Sequence, residues 1–128
     1  MRDIHNSTDA TQSINPAART ATVNGAGVDI KGAQSAEVEF DVGTITDGVH
    51  TPKLQESDDN AAWNDVVAGD QKGVLAAFAT NVHQRVGYIG NKRYLRAVVT
   101  VAGGPVTGGV YGALVTRGHL RHSTTQAI

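Results

Sequence analysis

Between residues 36 and 42 every second side chain is apolar. Ala36, Val38, Phe40 and Val42 fall on one side of an extended chain, and Glu37, Glu39 and Asp41 fall on the other. This period of two predicts a strand with one face in a core and the other carrying an acidic stripe. A second alternating run, residues 92 to 101, sets Arg93, Leu95, Ala97, Val99 and Val101 against Lys92, Tyr94, Arg96, Val98 and Thr100. A third spans residues 110 to 117. Gly103-Gly104-Pro105 and Thr107-Gly108-Gly109 between them predict a turn joining the two as an antiparallel pair.

Weaker signals fill the remainder. Asn24-Gly25 marks a turn in a weak hairpin between residues 19 and 30, and Asp47-Gly48 precedes a strand over residues 50 to 56. Residues 57 to 60 (Ser-Asp-Asp-Asn) read as a hairpin tip, with Trp63 on the returning strand at the rim of the core. Val74, Leu75, Ala77 and Phe78 recur at helix-compatible spacing, but Gly73 lies among them, so a short helix and a buried strand are both open. Residues 1 to 18 show no sustained period and carry isolated Ile4 and Ile14. They read as a flexible N-terminal arm that a neighbouring subunit would order. The predicted organisation is an arm over residues 1–18, a domain over 19–122 and a C-terminal tail over 123–128. Strands spaced by turn signals predict an all-β fold, a single antiparallel β-sandwich or jelly-roll-like barrel, with Val38, Phe40, Val42, Leu95, Val99 and Leu114 in the core.

Composition supports sheet over helix, because Val and Ala supply much of the 40% apolar content and 15 glycines suit many tight turns. A chain of 128 residues forms one domain with one core. There is no cysteine, which excludes disulfides, thiolate metal sites and a cysteine nucleophile. No apolar run approaches 18 residues and the first ten residues lack an apolar segment, so neither membrane insertion nor secretion is predicted. The net charge of −1 is misleading. All 12 carboxylates lie at or before Asp70, against 4 basic residues there, while residues 71 to 128 hold 7 basic residues and no carboxylate, giving halves of −8 and +7. Such halves can pair inside one domain or between copies.

The candidate chemistry is thin. Glu56, Asp58, Asp59, Asn60 and Asp65 could supply oxygen ligands to a hard cation, but their spacing is not that of an EF-hand, and a solvated turn is the default. His5, His50, His83, His119 and His122 are scattered with no carboxylate placed to orient an imidazole, and read as surface residues. No phosphate-binding glycine loop is present. Arg85, Lys92, Arg93 and Arg96, interleaved with Tyr88 and Tyr94, make the nearest approach to a nucleic-acid surface, though a basic edge pairing with acidic stripes explains them better. No catalytic residue, metal ligand or cofactor is assigned, and neither an enzyme nor direct nucleic-acid binding is predicted. The candidate subunit or shell contacts are Arg85, Lys92, Arg93, Arg96, Glu37, Glu39, Asp41, Ile4 and Ile14. A sugar-binding or host-surface-binding sandwich, with Trp63, Tyr88 and Tyr111 as ring platforms, is an alternative.

Three segments carry a resemblance: LQESDDNAAWNDV at 54–66, VGYIGNKRYLR at 86–96 and TGGVYGALVTRGHLR at 107–121. In combination they resemble small structural proteins of tailed bacteriophages encoded among the head genes. The resemblance implies a virion component made in the host bacterial cytoplasm: a capsid decoration or cement protein bound to the major capsid protein, with a head-tail joining or tail component as the competitor. It implies no catalytic residues. A homo-oligomer is expected, with a trimer favoured over a dimer because trimers suit local three-fold sites of an icosahedral shell.

Overall fold

In the computed structural model, which describes residues 3–120, those residues form ten strands. They are β1 (Asp9–Arg19), β2 (Val23–Asn24), β3 (Val28–Asp29), β4 (Ala33–Ile45), β5 (Val49–Ser57), β6 (Asn64–Asp65), β7 (Gln71–Lys72), β8 (His83–Tyr88), β9 (Tyr94–Ala102) and β10 (Gly109–Leu120). Among the described residues one 3-10 turn is present, spanning Ala68–Asp70. Sheet 1 has the order β1-β10-β4-β8-β7; sheet 2 has the order β2-β9-β5-β6, with β3 also on β9. All pairings are antiparallel, and neither sheet closes on itself. The fold is therefore an all-β sandwich and not a barrel.

The period-two segment of residues 36 to 42 lies at the centre of β4, flanked by β10 and β8. Val38 faces Val115 on one neighbour and Val86 on the other, so three valines form one row of the inner face, each fully buried. Leu54, Leu95, Ala97 and Val99 of sheet 2 close the core from the opposite side. Each large apolar side chain buried in this way contributes roughly 1.5–3 kcal/mol.

Three polar bridges cross between the sheets. Tyr111 on β10 and His50 on β5 meet at 2.9 Å between hydroxyl and Nδ1, while His50 Nε2 donates to the Asp47 carbonyl, also at 2.9 Å. The Tyr88 hydroxyl on β8 donates to Glu56 on β5 at 2.8 Å. Ser13 Oγ on β1 accepts from the Ala97 N–H of β9 at 3.0 Å and donates to the Ala26 carbonyl. Ser13, His50 and Ser57 are the buried polar residues among those described, and each is hydrogen-bonded, as burial requires.

Several sequence expectations are corrected. The segment read as an arm contains β1, which pairs with β10, and Ile14 is 1% exposed within the core. Register shifts on either side of Ile14 erase the period of two that would have marked a strand, and Pro16 sits in the irregular stretch, as suits an edge strand. The 123–128 tail, together with residues 1, 2, 121 and 122, lies outside the described residues.

The segments around Asn24-Gly25 do not pair with each other, because β2 and β3 both add to β9. Nor are β9 and β10 partners. Gly103, Gly104 and Gly108 adopt left-handed φ values of 84°, 58° and 79°, and their loop carries the chain from sheet 2 to sheet 1. The Asp47 carboxylate holds that loop by accepting from the N–H groups of Val106, Thr107 and Gly108, and these bonds lower its pKa. Leu114 is not core. Tyr111, Ala113 and Val115 take the inner positions of β10, which turns Leu114 outward at 38% exposure. Beyond the 3-10 turn that ends at Asp70 and the two-residue β7, residues 73 to 80 form neither a helix nor a buried strand but run irregularly, burying Phe78, whose N–H bonds to the His50 carbonyl.

Candidate functional site

The outer face of sheet 1 is built by strand alternation alone. Because Val38, Phe40 and Val42 point inward, Glu37, Glu39 and Asp41 must point outward, in a row along β4. Register places Leu114 beside Glu39 and Gly112 beside Asp41 on the β10 side, and Arg85 and His83 beside Glu39 and Asp41 on the β8 side. On this face two diagonal ion pairs form, Arg85 to Glu37 at 3.6 Å and His83 to Glu39 at 3.2 Å. Burial raises the Glu37 carboxyl above its ordinary value, and its hydrogen bond to Glu39 adds to that. Asp41 is exposed and has no ion pair among the described residues.

Beside this carboxylate row runs a groove of about 510 Å³. Pro16, Val110 and Leu114 give it apolar walls, Glu39 and Asp41 an acidic rim beside His83, and Gly43 and Gly112 also line it. At its β1 edge Gly112 lets the Pro16 ring pack closely over β10. A Cβ at Gly112 would come within 3.0 Å of the Pro16 ring, and one at Gly43 would lie 3.4 Å from the Val110 carbonyl. Val110 is 44% exposed, so the groove presents apolar surface rather than hiding it.

The outer face of sheet 2 differs in sign. Arg96 donates to Gln55 and lies over the Trp63 ring at 4.4 Å, Lys53 pairs with Asp65 at 3.1 Å, and burial lowers the Arg96 pKa. Trp63 is half-buried under this cation. At one end of the sandwich, Lys31, Lys92 and Arg93 line a second, open cleft of about 470 Å³. Its cations are largely occupied, since Lys92 bonds Asp58 and Arg93 bonds Asp29, each at 2.8 Å.

Of the residues singled out from the sequence, Glu37, Glu39, Asp41 and Arg85 therefore share one face, while Arg96 lies on the opposite sheet and Lys92 and Arg93 at the end cleft. Ile4 is 71% exposed. Ile14 offers nothing to a partner, being core. His50 is fully buried rather than on the surface, and His119 belongs to β10, 2.7 Å from Ser35 Oγ. The proposed ring platforms shrink to Trp63, because Tyr88 and Tyr111 are 5% and 1% exposed; burial pushes the Tyr111 hydroxyl up to about 12. The acidic tip is a closed turn: Asp59 accepts from Ser57 Oγ and the N–H groups of Ala61 and Ala62, which lowers its pKa. Among the described residues no group of three or more His, Asp or Glu is placed to hold a metal ion, and no helix is long and apolar enough to cross a membrane.

The groove was not legible in the sequence as a site. Leu114 is expected in the core, and nothing in the spacing of Val110 and Leu114 marks them as facing solvent. Comparison with protein-family models and with curated proteins finds no match for this chain.

Proposed function

We propose that the protein is a structural component of a tailed-bacteriophage head, a decoration or cement protein that binds the outer shell formed by the major capsid protein and neighbouring copies of itself. It is made in the host cytoplasm, ends on the virion surface, acts as a trimer, and performs no catalysis. The observation that carries this reading is the outer face of sheet 1. Exposed Val110 and Leu114 of β10 lie there beside the carboxylate row of β4, with β8 on its other side, a mixed apolar and acidic surface suited to holding another protein. The three segments that resemble phage head proteins supply the setting. They correspond to the β5–β6 hairpin, the β8–β9 connection and the start and body of β10.

A cement protein works by adding contact area across joints between shell subunits, and its effect grows with the number of bound copies. Mass spectrometry of separated heads and tails tests the assignment. The protein is expected in heads, and heads lacking it are expected to release DNA at a lower temperature than decorated heads. Its presence in tails and absence from heads would overturn the cement reading in favour of a tail component.

A further inference from the structure

A second exposed feature lies at the far edge of the same sheet. Lys72 ends β7, is exposed, and has no ion pair among the described residues. Gly73 follows with φ of 112°, a conformation that glycine adopts freely. The chain then turns so that Leu75 packs against the core while Val74 projects outward at 94% exposure. A cation and a fully projecting apolar side chain thus stand two residues apart at a sheet edge.

We propose that this Lys72-Gly73-Val74 knob of one copy seats in the groove on the outer face of sheet 1 of the next copy. Val74 would lie between Val110 and Leu114, and Lys72 would reach the Asp41 carboxylate, which has no counter-ion among the described residues. The fit is one of both kinds of chemistry: exposed aliphatic against exposed aliphatic, free cation against free carboxylate. Geometry adds a condition that is met. The groove is lined from β1, β10, β4 and His83 of β8, and none of residues 72 to 74 belongs to it, so knob and groove share no residue and one copy can use both at once. Association of two different surfaces is head-to-tail, and it closes into a ring when the rotation between copies permits. The proposal rests on reading the protein as one that self-assembles; ring closure at three copies would match a local three-fold site on a shell.

Sedimentation or light scattering of the purified full-length chain tests it. The wild type is expected to form a species larger than a dimer. Val74→Asp and Asp41→Lys, both at exposed positions, are each expected to keep the wild-type circular dichroism and to weaken association by about tenfold or more. Mixing the two variants is expected to yield a one-to-one dimer that does not extend, since the mixture holds one intact knob and one intact groove. As a second measurement, Lys72→Glu alone is expected to dissociate the assembly, and Lys72→Glu combined with Asp41→Lys in one chain to restore it. A monomeric or strictly dimeric wild type, or an assembly indifferent to Val74→Asp and Lys72→Glu, overturns the proposal. A wild type that is monomeric yet binds heads overturns the knob-and-groove contact and leaves the decoration reading standing; one that forms rings but is absent from heads does the reverse.

Discussion

At the scale of single residues, the buried His50–Tyr111 contact is the most constrained chemistry in the molecule. The Asp47 carbonyl can only accept, so His50 carries its proton on Nε2, and Nδ1 is left to accept from the Tyr111 hydroxyl. Phe78 closes the site, its ring centroid 5.0 Å from that of Tyr111. Tyr111→Phe removes a donor and strands Nδ1, which should cost about 1–3 kcal/mol, and His50→Phe should cost a similar amount by stranding the hydroxyl. The double variant should cost less than the sum of the two, because neither partner is then left unpaired. Urea denaturation of the four proteins in the cycle measures this, and additive costs would mean that the bond does not couple the sheets.

Among the elements, β1 connects sequence, packing and assembly most directly. Ile14 reaches the core, Ser13 bridges to sheet 2, and Asp9 pairs with Arg117 on β10. A strand tied at three points belongs to the fold and not to a neighbour. Ile14→Ala should therefore destabilise the isolated protein by about 2–5 kcal/mol, the range for truncating a buried aliphatic side chain. Denaturant titration at constant protein concentration would show it. A cost near zero would return residues 9 to 18 to the role of a detachable arm.

Over the whole molecule, the opposed charges of the two halves meet internally. Asp9 pairs with Arg117, Asp29 with Arg93, Glu37 with Arg85 and Asp58 with Lys92, each an acid from the first half against a base from the second. Their strengths differ with exposure. The Arg117–Asp9 side chains are 23% and 11% exposed and doubly hydrogen-bonded, and Asp9 raises the Arg117 pKa; the Lys92–Asp58 pair, at 37% and 73%, is open to water. Asp9→Ala should cost about 1.5–3 kcal/mol, a loss of hydrogen bonds to a charged group, and Asp58→Ala less than about 1 kcal/mol. Raising salt should shrink the Asp58 effect more than the Asp9 effect, since screening acts on exposed pairs. Equal costs and equal salt sensitivity would show that burial does not rank these pairs.

Local pattern was enough to locate β4, β5, β9 and β10 and to establish an all-β fold, because a strand with one wet face must alternate and its ends need turn residues. It also placed the outward row Glu37, Glu39 and Asp41, since the inner face fixes the outer one. It could not place β1, whose shifted register hides its period, nor tell which sheet a strand joins, because pairing depends on residues distant in the chain. The inward turn of His50 and the outward turn of Leu114 follow from the same limit. A histidine becomes core when a tyrosine 61 positions away offers it a hydrogen bond. On β10, where Val110 and Leu114 alternate with Tyr111, Ala113 and Val115, both faces carry apolar residues, and only packing against β4 and the opposing sheet selects the one that is buried.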